Sequence, residues 1–296
     1  MNWKSLALIS TSLAALSFSA TAALAVPAPP VMGTIELGAT QWFEDWSYGG
    51  SDTGNTNWVS LTGAGRVNIP YSSRINVQLD FFGDASLDGG FHNYSSDGTN
   101  VGNTGGAVHF NYREPSQGLI GFFGAIGRVQ DYSWSAPAFM GGFEAQYFCD
   151  NWTFGAQAGY MDADGDYEFL WNGGFVRGFA TYYASPRFKL TGGLGYIAGD
   201  SGVSFPGGTD TDSATAWNWT AEGRYWFGRS VPIAGFIRYE GRQQETHYSK
   251  ETPQLTTNQV YIGFSWMFGG EDFKQTDRNG ASTDIMSFDN FRLISD

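Results

Sequence analysis

Cysteine occurs once in the 296 residues, as Cys149, and histidine only three times. A single thiol excludes an intramolecular disulfide framework, and so few histidines restrict imidazole-based catalysis. Basic residues are scarce as well: 16 Lys and Arg stand against 29 Asp and Glu, a net charge of −13, which disfavours nucleic acid as a partner. No run of about 18 apolar residues follows the first segment, so a helical membrane protein is excluded. That first segment has Lys4, a mostly apolar Leu6–Leu16 and the small-x-small site Ala23-Leu24-Ala25. It is too short to span a bilayer and has the form of a secretory signal peptide, residues 1–25. No cofactor motif is recognised.

What is present is a rhythm. About twelve β-type segments are joined by connections that alternate short and long. The short joins are Pro70–Ser73, Glu114–Gln117, Asp150–Asn151, Ser185–Arg187 and Gly228–Val231. The long ones are Ser47–Asn57, Ala85–Asn103, Asp131–Pro137, Ala163–Gly173, Gly199–Ser213 and Gln243–Thr256. A soluble sandwich has no reason to sort loops by parity, whereas an antiparallel sheet threaded through a bilayer does. Forty-one glycines, 17% aromatics and a mean hydropathy of −0.27 fit strands that alternate apolar and small or polar residues.

Strand phase is legible residue by residue. From Arg74 to Phe81, Ile75, Val77, Leu79 and Phe81 point one way while Arg74, Asn76, Gln78 and Asp80 point the other. The same holds for Val108–Arg113, Trp217–Phe227 and Ile233–Arg242. So charged a second face suits a wet lumen better than a core. Leu119–Gln130 and Phe175–Ala184 are less clean, with aromatics on both phases. Trp42, Trp46, Trp58, Trp134, Trp152, Trp171 and Trp226 lie near strand ends, as interfacial girdles do. The expected fold is therefore all-β, a transmembrane antiparallel barrel of about twelve strands from Gly33 to Phe268.

The six long connections hold twelve acidic residues and one basic residue, Lys250, whereas the strands hold nine of the 16 basic ones. Arg66, Arg74, Arg113, Lys189 and Arg224 are expected towards the short-turn mouth, and Arg128, Arg177 and Arg242 towards the other. Asp80, His109, Glu144, Glu222, Arg238 and Glu240 fall between them. Lumen arginines can select solutes by sign, or they can pair with carboxylates and brace a narrow barrel. Gly155, Gly159, Gly193 and Gly195 on the inward phase argue for open space.

The last strand, Tyr261-Ile262-Gly263-Phe264-Ser265-Trp266-Met267-Phe268, resembles the C-terminal β-signal of outer-membrane proteins, with Tyr261, Gly263, Trp266 and Phe268 at its defining positions. The chain as a whole resembles a Gram-negative outer-membrane β-barrel protein of porin type. The resemblance implies an outer-membrane location, recognition by the barrel-assembly machinery, and contact with membrane lipid and lipopolysaccharide. It also implies short periplasmic turns, long outer loops and passive passage of small polar solutes, with the arginines tilting preference towards anions. A non-conducting structural or surface-binding barrel is the alternative. The pattern departs in one respect, because residues 269–296 follow Phe268. With barrel residues 26–268 returning the chain to the periplasm, this tail is expected there. It is polar from Glu271 to Gly280, then carries Ile285, Phe288, Phe291 and Ile294 at a spacing of three, compatible with a short helix capped by Ser282 or Thr283 or with an extended segment.

Two enzyme resemblances are weaker. His247-Tyr248-Ser249 resembles the His-x-Ser of outer-membrane phospholipases and lipid A deacylases, but Lys250 stands where those have Asn. Asp210-Thr211-Asp212 resembles one half of an omptin-type protease site and has no histidine nearby in sequence. Asp162, Asp164, Asp166 and Glu168 could hold Ca²⁺, yet Gly165 is misplaced for an EF-hand loop, and a solvated acidic loop is the simpler reading.

Overall fold

The computed structural model describes residues 30–48, 52–87, 102–131, 134–163, 169–205, 208–228, 231–247 and 252–292. Among them lie six strands in the first half, β1 (Met32–Tyr48), β2 (Asp52–Pro70), β3 (Ile75–Ser86), β4 (Gly102–Glu114), β5 (Gly118–Asp131) and β6 (Trp134–Cys149). Six more follow: β7 (Trp152–Ala163), β8 (Trp171–Ser185), β9 (Phe188–Phe205), β10 (Gly208–Trp226), β11 (Ile233–His247) and β12 (Gln254–Phe268). Each strand pairs antiparallel with its sequence neighbours, and β12 returns to β1, closing the barrel. The seam runs in register from Gly33↔Phe268 to Ser47↔Gln254. At its middle Gly38 faces Gly263 so closely that a Cβ on Gly38 would lie 2.6 Å from the Ile262 carbonyl. The glycine of the last-strand signal thus permits closure. Closure matters because a bilayer offers no water to unpaired backbone groups.

The outer surface is apolar. Leu37, Leu61, Phe81, Ile120, Phe122, Ile126, Phe143, Ile237, Ile262 and Phe264 are each half or more exposed. A belt of that kind drawn from most strands belongs in lipid. The architecture is that of an outer-membrane β-barrel.

The short turns fall where the sequence puts them, but the other end differs. Three of the connections read as long are hairpin ladder for most of their length: Tyr48 pairs with Asp52, Asp131 with Trp134 and Phe205 with Gly208. The strands are correspondingly long, 19 residues in β2 and β10. About 9–11 residues cross a bilayer, so these hairpins project beyond it. Glycine- and Thr/Asn/Asp-rich stretches such as Asp52–Asn57 carry no apolar phase to betray a strand, and only pairing reveals it.

Several aromatic positions also differ. Trp42 and Trp58 point inward, buried and stacked with ring centroids 5.0 Å apart, and Trp226 is buried beside Phe273. Trp152 stays outside, with Phe154 and Tyr182 around it.

Candidate functional site

The lumen is occupied by the chain's own C-terminus. After Phe268 the backbone reverses at Gly269 (φ +82°), a left-handed turn that suits glycine. Helix α1 (Phe273–Asn279) follows, capped by Asp272, whose Oδ1 accepts from the Gln275 amide at 2.7 Å. It lies at the short-turn mouth, where Phe273 is buried among Tyr183, Trp226, Ala234 and Met267. The helix therefore forms in the stretch read as polar, while residues 281–287 carry no regular secondary structure and a single 3-10 turn covers Phe288–Phe291.

The last carbonyls of α1 and the irregular segment after it have no strand beside them, so wall side chains must satisfy them. Arg113 donates to the Asp277 carbonyl at 2.8 Å, Gln146 to Ser282 at 3.2 Å, Gln78 to Thr283 at 2.5 Å and Gln157 to Asp284 at 2.8 Å. Side-chain pairs reinforce these rungs. Lys189 Nζ lies 2.7 Å from Asp277, and Arg177 Nη2 lies 2.5 Å from Asp284 Oδ1, with Arg66 Nη2 3.9 Å from Oδ2. Farther along, Met286, Phe288 and Phe291 join Phe123, Met140, Met161, Phe175 and Ile197 in an apolar core inside the barrel. Gly127 makes room for the Phe288 ring, since a Cβ there would meet it at 2.5 Å. Near the long-hairpin mouth Arg292 pairs with Glu44 at 3.1 Å and bridges to Phe169.

What this segment leaves free is a cavity of about 250 Å³. Arg66, Asp80, Arg177, Lys189, Glu222, Arg224, Arg238, Glu240 and Arg242 line it, and the segment supplies Asp277, Asp284 and Asp289. On the wall formed by β1, β10 and β11, two guanidinium groups and two carboxylates interlock. Arg224 reaches Glu36 at 2.6 Å and Glu222 at 2.9 Å, while Arg238 reaches Glu222 at 2.7 Å and Glu36 at 3.2 Å. Glu240 stands 3.7 Å from Arg238. His109 is fully buried between Asp80 (3.4 Å) and Glu144 (3.0 Å), within reach of Thr283, and lies with Arg113 and Glu144 outside the cavity lining.

Two basic residues expected in the lumen lie elsewhere. Arg74 sits in the β2–β3 turn, exposed, paired with Glu114 at 3.2 Å and donating to the Tyr112 hydroxyl. Arg128 shares the outward phase of Ile126. The inward glycines do not all mark open space either, because the Phe179 ring lies over Gly155. Five acids of the site escaped sequence reasoning: Glu36, Asp84, Asp277, Asp284 and Asp289. Glu36 shares its phase with Thr34 and Thr40 and so carried a detectable period-two signal. Asp284 carried none, because only the fold brings the tail inside. His247 ends β11 on the exposed phase, while Ser249, Lys250, Asp164, Asp166 and Glu168 lie outside the described residues, as do residues 1–25.

No family model and no curated protein matches the chain. Among solved structures, an outer membrane channel from Pseudomonas putida F1 is similar with a TM-score of 0.48 and 13% identity, covering 84% of this chain and 100% of that one. The Pseudomonas putida toluene transporter TodX gives 0.39 and 9%, covering 80% and 90%. The outer membrane protease OmpT from Escherichia coli gives 0.33 and 11%, covering 80% and 96%. Likenesses this distant bring no activity to this chain.

Proposed function

We propose that this protein is an outer-membrane channel for passive passage of small polar solutes, with its C-terminal segment setting the cross-section of the path. The observation that carries this reading is the cavity between that segment and the barrel wall, to which every strand except β5 contributes. Its lining runs from Lys189 and Asp277 at the short-turn side to Asp84, Asn103 and Asp289 at the other, and charged groups line it along that length. At about 250 Å³ it falls below the ~300–1,000 Å³ typical of pockets for drug-sized ligands, so only a small solute suits it. The anion preference suggested by the arginines is weakened by their pairing. Arg177, Arg224 and Arg238 each face a carboxylate within hydrogen-bonding distance, which cancels most of the field a bare cation would present.

Purified protein in a planar bilayer tests the proposal. Discrete, small conductance steps that grow when residues 270–296 are deleted are the expected result. Silence from both forms would overturn it. That outcome would favour a non-conducting structural barrel, a second reading supported by the interlocked Glu36–Arg224–Glu222–Arg238 quartet.

A further inference from the structure

One carboxylate in the lumen differs from the others. Glu36 and Glu222 belong to the wall, and their side chains are 6% and 10% exposed. Asp284 belongs to the inserted segment, and its side chain is 41% exposed towards the cavity although both oxygens face guanidinium groups. Arg177 approaches Oδ1 from β8 and Arg66 approaches Oδ2 from β2, strands separated by five others in either direction around the barrel. Two cations from opposite sides of the wall thus converge on one carboxylate that the wall does not own.

We infer that Arg66 and Arg177 form a carboxylate-recognition site of the lumen, and that Asp284 occupies it as a tethered competitor for small carboxylate solutes. The inference rests on reading the cavity as a solute path and gives that path a substrate class. Guanidinium groups suit this task because their planar N–H donors match a carboxylate and never lose their charge. The exchange needs little rearrangement. Gln157 holds the Asp284 backbone carbonyl at 2.8 Å, so the side chain can turn into the cavity while the segment stays docked. A short tether presents its carboxylate at an effective concentration on the order of millimolar, so a free carboxylate succeeds only at comparable or higher concentration. Removing the tethered carboxylate removes that competition.

Chemical rescue tests this on the full-length protein in detergent, with acetate and succinate as probes and sodium chloride at matched ionic strength as the reference. Asp284→Ala should lower the temperature of heat modification on gels, and either carboxylate should restore it in a saturable way at about tenfold lower concentration than any effect on the parent protein. Asp284→Ala combined with Arg177→Gln should lose the rescue. Asp284→Asn, which keeps the side-chain volume, should behave as Asp284→Ala does and serves if that variant fails to assemble. Equal responses to carboxylate and chloride, or rescue that survives Arg177→Gln, would overturn the inference and leave Asp284 a structural lock. Because the readout is binding, a barrel that is silent in bilayers yet rescued by acetate refutes the channel alone, and a conducting barrel without rescue refutes the site alone.

Discussion

Replacing Arg238 by methionine asks whether the charged quartet braces the barrel. The substitution keeps an unbranched stem beside Phe236 and Tyr261, whose rings the guanidinium faces at 5.5 Å and 5.6 Å. It deletes contacts of 2.7 Å to Glu222, 3.2 Å to Glu36 and 3.7 Å to Glu240. Two carboxylates balanced by two guanidinium groups are left facing Arg224 alone, with Glu240 adding a third negative charge nearby. Removing one partner of a buried pair costs about 3–5 kcal/mol. Arg238 is 18% exposed and its two main partners less, so solvent screening recovers only a modest part. At about 2–4 °C per kcal/mol for a chain of this size, the unfolding temperature should fall by roughly 10 °C. The fraction of slow-migrating, unfolded protein on SDS gels after stepwise heating measures that shift. Adding Glu222→Gln removes the excess acid and should return part of the loss, with a coupling of about 0.5–3 kcal/mol in the double-mutant cycle. A melting temperature equal to that of the parent, together with a reversal potential shifted towards cations, would refute the reasoning. Arg238 would then be a free selectivity charge and not a brace.

Before heating, the protein should migrate on SDS gels differently from the boiled sample, because a closed ladder resists detergent; identical migration with solubility in plain buffer would contradict a membrane barrel. Deleting residues 270–296 should leave a heat-modifiable barrel, since every strand pair forms without them. By contrast, Trp266→Ala with Phe268→Ala, outward aromatics at the end of β12, should lower its abundance in outer membranes, as quantified on blots. Phe288→Ala should remove the ring buried against Phe82 and Phe291 and loosen the segment, which would appear as larger conductance steps and new proteolytic cleavage between Ser282 and Arg292; parent-like conductance would show that the segment does not set the path.

The sequence by itself determined the barrel. Alternation from Ile75 to Phe81, tight joins such as Asp150–Asn151 and the terminal Tyr261–Phe268 pattern are local properties, and a bilayer allows few ways to satisfy them. The phase of a mid-strand charge such as Arg238 was legible for the same reason, because neighbouring side chains on a strand must point to opposite faces, whereas Arg74 in a turn and Arg128 on the outward phase were misplaced. Partners were not legible. Glu36 and Arg238 lie 202 positions apart along the chain and meet only because β12 closes on β1. The C-terminal segment shows the division most plainly. The spacing of Ile285, Phe288 and Phe291 announced an apolar face, but nothing local said what would cover it. The answer lay in stretches that seemed irregular, Leu119–Gln130 and Phe175–Ala184, where apolar residues occupy both phases. One face there is exposed on the outer surface, with Phe122, Ile126 and Val176, while Phe123 and Phe175 on the other meet the inserted segment. Two distant parts of the chain each carried half of an apolar interface, and only tertiary structure could join them, because burial is a property of the pair.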